Sequence, residues 1–180
     1  MRYQKYFFQI LIILTLSTSV ACTSLTSMKH GCSDNWKVTG YYTPVEDDYL
    51  GSRQKVTVQN TGMVAFRKDF IRQVRIEGWG KTRYGWYLGY YRRSWHKSAN
   101  PLNSKGKILK KGMVAVDSRI VPLSTKIRIP GLYSLLGQET FTASDVGTSV
   151  KRKHVDVYTG EGVRAKQLAY KITGQNIVCL

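Results

Sequence analysis

The chain has 180 residues, enough for one domain with a hydrophobic core but too few for two full domains. Its 28 Lys and Arg residues face only 11 Asp and Glu, which gives a formal net charge of +17. Such a protein is attracted to polyanions, which include nucleic acid, anionic membrane surfaces and anionic cell-wall polymers. The charge alone does not choose among these partners.

The first 21 residues have the pattern of a secretory signal peptide. Arg2 and Lys5 precede the apolar run FFQILIILTL, and small residues follow up to Ala21. The run is short for a membrane-spanning helix, which needs about 20 apolar residues. We therefore predict export to the periplasm or outer envelope, or secretion.

Cys22 follows the predicted cleavage site and leaves two interpretations open. The position resembles the acylated cysteine of a bacterial lipoprotein, which would anchor the protein to a membrane. However, Ser19 stands where Leu is usual in that signal, so ordinary cleavage and an unmodified Cys22 fit as well. Residues 22–35 are small and polar, and we predict a tether there.

The other two cysteines, Cys32 and Cys179, are an even pair in an exported chain, so we predict a disulfide between them. Two free thiols are the less favoured alternative. The sequence does not have the Cys and His spacing of a zinc site, and we predict no metal.

Short β segments separated by Gly and Pro dominate the region from residue 36 onward, which predicts a small barrel of mainly β structure. We predict a solvated loop at residues 46–48 and a turn at residues 60–62. The predicted strands lie at residues 36–44, 55–66, 112–131 (two strands), 139–147, 153–160 and 175–180, and a short helix is predicted at residues 163–172. Residues 69–80 fit a short helix that runs into a strand, but their periodicity is ambiguous.

A single domain over residues 36–180 would have its core motifs at residues 36–44 and 112–180. An aromatic and basic insertion at about residues 50–110 would separate them. Its tryptophans, Trp79, Trp86 and Trp95, suit either core packing or a sugar-binding groove.

Three aspartates, Asp117, Asp145 and Asp156, lie beside valines in predicted strands, although Asp is depleted in strands. In KRKHVDVY, alternation puts Val155 and Val157 on one face and Asp156 on the other. If the valines face the core, Asp156 lines a groove.

The segments VTGYYTP, VAVDSRIVPLSTKIRIPG and ASDVGTSVKRKHVDVYTGEG, in this order, resemble the 3D domain, named for its three aspartates. That domain forms the catalytic barrel of membrane-bound lytic transglycosylase A and related cell-wall-cleaving proteins. The resemblance implies a double-psi β-barrel that acts on peptidoglycan. It also implies that Asp117, Asp145 and Asp156 are the three aspartates, with Asp156 at the acid/base position.

Two departures from the family pattern bear on activity. The family usually has Asp-Thr-Gly-Gly, where this chain has Asp145-Val146-Gly147-Thr148. The family also has Pro-Leu-Gly, where this chain has Pro122-Leu123-Ser124. These changes motivate an alternative, a non-catalytic barrel that binds peptidoglycan or the envelope.

The implied reaction is cleavage between N-acetylmuramic acid and N-acetylglucosamine with a 1,6-anhydro product. One carboxyl group can first protonate the leaving oxygen and then accept the proton of the C6 hydroxyl. This requires no cofactor, but it requires Asp156 to be protonated near neutral pH. Tyr41, Tyr42, Tyr158 and Lys151 are the candidate substrate-binding residues. We predict no nucleic-acid partner, because the chain is exported and has no complete DNA- or RNA-binding motif.

Overall fold

The computed structural model describes residues 31–180, and the predicted signal peptide and Cys22 lie outside them. The chain forms eleven strands and three short α-helices within this range. The strands are β1 (Cys32–Thr43), β2 (Arg53–Val58), β3 (Gly62–Arg67), β4 (Trp79–Lys81), β5 (Tyr87–Tyr91), β6 (Ser94–Ser98), β7 (Met113–Val116), β8 (Lys126–Arg128), β9 (Thr140–Asp145), β10 (His154–Glu161) and β11 (Gly174–Cys179). The helices are α1 (Lys68–Glu77), α2 (Tyr133–Leu136) and α3 (Gly162–Lys171).

Six strands close into a barrel in the order β1-β10-β7-β9-β8-β11. The β1/β10 and β7/β9 pairs are parallel, and the other pairs are antiparallel. The predicted mainly β fold with a small double-psi barrel is therefore confirmed, and the barrel has six strands. Alternating side chains fill the barrel interior, where Val38, Val155, Val157, Ile127 and Phe141 are fully buried.

The chain between β1 and β7 builds a second, five-stranded sheet in the order β3-β2-β6-β5-β4. Helix α1 packs on this sheet, because Phe70, Ile71 and Val74 recur at helical spacing and contact Phe66 and Leu88. The ambiguous segment at residues 69–80 is a helix followed by a strand, α1 and then β4, and the predicted turn at residues 60–62 is confirmed.

The predicted solvated loop at residues 46–48 is wrong for Glu46, whose side chain is buried. Its carboxylate accepts hydrogen bonds from the backbone N–H groups of Arg67 (3.0 Å) and Arg83 (3.2 Å), and the Arg53 guanidinium lies 3.9 Å away. Backbone donors from two distant segments compensate the burial of this charge, which residue type alone does not reveal.

The two ends of the barrel are joined covalently. Cys32 on β1 is paired with Cys179 on β11, and their sulfurs form a disulfide across 147 residues of sequence. On the chain-entropy model, a loop of this length contributes about 4–5 kcal/mol to stability. Strand β1 thus begins at Cys32, inside the region where we expected the tether.

No helix within residues 31–180 has the length and apolar character that a bilayer crossing requires.

Candidate active site

A cleft of about 880 Å³ separates one wall of the barrel from the second sheet and α1. This volume lies in the upper part of the range for ligand-binding pockets, about 300–1,000 Å³. Ala115, Asp145, His154, Asp156 and the loop at residues 146–150 line the barrel wall. Residues 75–79 and 90–92 line the opposite wall.

The centre of the barrel wall is one row of residues across four neighbouring strands. Thr39 on β1 is paired with Asp156 on β10, Asp156 with Ala115 on β7, and Ala115 with Asp145 on β9. Because adjacent strands lie about 4.8 Å apart, the backbones of the two aspartates are separated by roughly 10 Å. Ala115 between them has a small side chain, which leaves the cleft open at this point.

Asp156 lies half-buried in this row. The Thr39 hydroxyl donates a hydrogen bond of 2.6 Å to Oδ1 of Asp156, and Thr39 Oγ1 also lies 2.8 Å from Nε2 of His154. Burial raises the pKa of the Asp156 carboxyl, and the charge of Asp145 raises it further. The Thr39 hydrogen bond and the charges of His154 and Lys37 act in the opposite direction on this pKa.

His154 continues this hydrogen-bonded chain along the barrel wall to the loop at residues 146–150. Its ring is buried, and Nδ1 lies 3.2 Å from the backbone carbonyl oxygen of Ser149. A carbonyl oxygen only accepts hydrogen bonds, so Nδ1 carries a proton here. The ordered chain is therefore Asp156, Thr39, His154 and the Ser149 carbonyl.

Asp145 is fixed by several donors. Its Oδ1 accepts hydrogen bonds from the backbone N–H groups of Ser104 and Val146, each at 2.8 Å, and the Tyr41 hydroxyl lies 3.5 Å from Oδ2. Burial, followed by the charge of Asp145, raises the pKa of Tyr41 well above its usual value. Tyr41 therefore stays a protonated donor at the edge of the cleft.

The third aspartate is not part of the cleft. Asp117 is buried, and its carboxylate accepts two hydrogen bonds from the Arg119 guanidinium, from Nε at 2.9 Å and from a terminal NH2 group at 2.7 Å. It accepts a third from the backbone N–H of Arg152 at 2.9 Å. The Arg119 guanidinium and then the Arg152 N–H hold the pKa of Asp117 well below its usual range. Asp117 thus connects the turn after β7 to the loop before β10.

Among the candidate substrate-binding residues, only Tyr41 lines the cleft. Tyr42 points to the other side of β1 and packs on Ala165 and Ala169 of α3. Tyr158 shares the outer face of β10 with Asp156, as alternation predicts, but the second sheet covers it. Its hydroxyl is hydrogen-bonded to Thr43 Oγ1 at 2.8 Å. Lys151 is exposed outside the cleft.

Sequence reasoning missed Glu77, a third carboxyl group in the cleft beside Asp145 and Asp156. It ends α1, and its oxygens accept hydrogen bonds from the Tyr42 backbone N–H (3.2 Å) and the Gln73 side-chain amide (2.9 Å). Burial raises the pKa of Glu77 to about 7, and the charge of Asp156 also raises it. Only the packing of α1 against β1 brings this residue to the site.

The two departures from the family motif have different structural consequences. Ser124, in place of Gly, adopts a positive φ of 76°, a conformation that favours glycine. Thr148, in place of the last Gly of Asp-Thr-Gly-Gly, does not adopt a positive φ. The row that contains Asp145 and Asp156 is complete despite both changes.

Solved structures share this architecture of a barrel with a second sheet. E. coli MltA with bound chitohexaose has a TM-score of 0.59 at 16% identity, over 81% of this chain and 71% of that chain. A membrane-bound lytic murein transglycosylase from Agrobacterium tumefaciens has a TM-score of 0.57 at 13% identity, over 80% and 73%. LtgG of Burkholderia pseudomallei, a lytic transglycosylase, has a TM-score of 0.50 at 16% identity, over 83% and 75%. The protein therefore has the MltA-type lytic transglycosylase fold.

A comparison of the sequence with protein-family models identifies one domain. Residues 112–178 match the 3D domain, so the chain carries a 3D domain that spans β7 to β11. This confirms the resemblance seen in the sequence motifs. A comparison with curated proteins finds no match.

Proposed function

We propose that the protein is a peptidoglycan lytic transglycosylase in which Asp156 is the catalytic acid and base. The observation that carries this proposal is the environment of Asp156, a half-buried carboxyl group with a raised pKa in the wall of a long cleft. A carboxyl group that protonates a leaving group needs a pKa above the ordinary Asp value, and burial shifts the pKa of Asp156 in that direction. The bound chitohexaose in the structurally similar E. coli MltA supports a glycan ligand.

The hydrogen-bonded chain behind Asp156 provides a route for its proton. In one arrangement His154 holds two ring protons, and Thr39 accepts from Nε2 and donates to ionised Asp156. In the other, Asp156 is protonated and donates to Thr39, which donates to the neutral His154 ring. The two arrangements contain the same number of protons, so Thr39 can relay a proton from His154 to Asp156.

The reaction then proceeds with one carboxyl group. Protonated Asp156 donates its proton to the glycosidic oxygen as the bond between that oxygen and C1 of N-acetylmuramic acid breaks. The C6 hydroxyl of the same sugar forms a new bond to C1, and the Asp156 carboxylate accepts the hydroxyl proton. The carboxyl group is regenerated, and the product has a 1,6-anhydro ring. Asp145, held by backbone donors, supplies a fixed negative charge that raises the pKa of Asp156.

The test is digestion of purified peptidoglycan, with soluble muropeptides identified by mass. Wild-type protein is expected to release anhydro-muropeptides, and Asp156→Asn is expected to release none while it retains the wild-type circular dichroism spectrum. Asp34→Asn is the matched control, because it removes an exposed carboxylate from the same barrel outside the cleft.

Three outcomes would contradict the proposal. Wild-type activity in Asp156→Asn would remove Asp156 from catalysis. Loss of activity in Glu77→Gln but not in Asp156→Asn would move the acid to Glu77. Binding of wild-type protein to peptidoglycan without any anhydro product would favour a non-catalytic binding barrel.

A further inference from the structure

The two walls of the cleft differ in their charged side chains. Asp145 and Asp156 line the barrel wall, whereas two arginines, Arg75 and Arg92, line the opposite wall together with one carboxyl group, Glu77. A ligand with its own carboxylates is repelled by the first wall and attracted to the second. The polarity of the cleft can therefore orient a charged glycan strand.

Arg75 is held in place by aromatic rings. Its guanidinium lies 5.3 Å from the ring centre of Tyr90 and 5.3 Å from that of Trp95. No carboxylate within residues 31–180 forms an ion pair with it. The nearby Glu77 carboxyl is engaged by Tyr42 and Gln73 instead. A guanidinium stacked on rings retains its planar N–H donors, which match a carboxylate in a two-point contact.

Arg92 lies in the tight turn between β5 and β6, two residues after Tyr90. The turn has only two central residues, Arg92 and Arg93, with φ values of 49° and 59°. Such turns strongly favour Asn-Gly, because both central residues adopt a positive φ. Local conformation therefore does not explain an arginine at either position. Of the two, Arg92 lines the cleft.

We propose that Arg75 and Arg92 form a carboxylate-binding subsite that selects glycan strands carrying free carboxylates. The inference rests on the proposed function for its ligand class. Such carboxylates come from two sources in peptidoglycan, the stem peptides and the lactyl group of a muramic acid without its peptide. Binding at this wall turns the substituted side of the strand toward α1 and β5 and leaves the glycosidic bonds facing Asp156.

The test compares three ligands of equal glycan length in the Asp156→Asn background, which prevents turnover. These are peptide-bearing strands, strands without peptides, and peptide-free strands whose lactyl carboxyls have been converted to neutral amides. Arg75→Gln and Arg92→Asn are each expected to raise the Kd for a carboxylate-bearing strand about tenfold, as for the loss of one charged hydrogen bond. The Kd for the amidated strand should change less than twofold.

The chain offers matched controls for both variants. Arg83→Gln removes another arginine stacked on a ring, 4.7 Å from the centre of Tyr84, and Arg93→Asn changes the same turn as Arg92→Asn. Neither Arg83 nor Arg93 lines the cleft, so both variants should bind all three ligands like the parent protein. Thermal unfolding of each variant checks that the fold is intact.

Each outcome decides a separate point. An effect on the peptide-free carboxylate strand alone assigns the lactyl group as the ligand, an effect on peptide-bearing strands alone assigns the stem peptide, and an effect on both shows that the subsite binds either carboxylate. Unchanged binding in both variants, or equal weakening for all three ligands, would overturn the subsite. Release of anhydro-muropeptides by the wild-type protein is measured in parallel. Anhydro products without an arginine effect leave the proposed function standing, whereas an arginine effect without anhydro products overturns the function and leaves the subsite.

Discussion

Replacement of Glu77 by Gln should stabilise the protein at alkaline pH and leave its stability unchanged in acid. The folded protein raises the pKa of Glu77 from 4.5 to about 7, because burial disfavours the ionised carboxylate. The difference of about 2.5 pH units, at 1.36 kcal/mol for each, corresponds to about 3 kcal/mol. Gln has no charge and avoids this penalty.

The pH dependence of the stability follows from the direction in which folding changes the pKa of Glu77. Below pH 4.5 the carboxyl group is protonated in both the folded and the unfolded chain, so its favourable contribution is fully present. This contribution is lost as the pH rises through about 7 and the folded protein has to bury a charge. The side-chain amide of Gln73 can reorient to accept from the new amide, and Tyr42 N–H retains an acceptor oxygen.

The assay is urea unfolding of wild type and Glu77→Gln at pH 4, pH 6 and pH 8. The free energy of unfolding of the variant should exceed that of wild type by about 3 kcal/mol at pH 8 and match it at pH 4. Glu139→Gln is the control, because it removes a partly exposed carboxylate 3.4 Å from Arg128. Ion pairs near the surface contribute less than about 1 kcal/mol to stability. A Glu77→Gln variant that gains no stability between pH 4 and pH 8 would refute this account of its burial.

Two further substitutions test the site and the barrel. Thr39→Val removes the hydroxyl that donates a hydrogen bond to Asp156, and that hydrogen bond lowers the pKa of Asp156. The alkaline limb of the pH–rate profile should therefore move to higher pH. The value of kcat should fall, because the proposed proton relay through Thr39 is lost. An unchanged profile would remove Thr39 from the mechanism. Ser124→Gly should raise the free energy of unfolding by about 0.5–1 kcal/mol, because glycine adopts the φ of 76° without strain. Ser118→Gly, at another exposed position, should not raise the free energy of unfolding. An equal increase in that free energy for Ser118→Gly would contradict the explanation from the positive φ of Ser124.

The strands could be predicted from the sequence because their evidence is local. Alternation around Val155 and Val157 gives the face of each β10 residue, and the structure has both valines in the barrel core. The same alternation puts Tyr158 beside Asp156, but it carries no information on the second sheet that covers Tyr158. Alternation therefore gives the face of β10 on which Tyr158 lies but not its exposure to solvent, because its burial depends on a distant part of the chain.

The composition of the site could be predicted only in part, for the same reason. The aspartates stand out because Asp is rare in strands. Thr39 does not stand out, since a threonine in a strand is ordinary, and its importance comes from the pairing of β1 with β10 across 117 residues of sequence. Glu77 resembles any surface glutamate at the end of an amphipathic helix, and only its contact with the β1 backbone shows that it is partly buried.

The second sheet helps to explain how the pKa of Asp156 is raised in a chain of net charge +17. A bare barrel would expose the row of Thr39, Asp156 and Asp145 to water and to the basic loop before β10, and both would favour ionised Asp156. The sheet and α1 cover this face, so burial becomes the largest influence on the pKa of Asp156. Thr39 connects His154 to Asp156 through contacts of 2.8 Å and 2.6 Å on this covered face. The second sheet and Asp145 therefore act in the same direction, because burial and the charge of Asp145 both raise the pKa of Asp156.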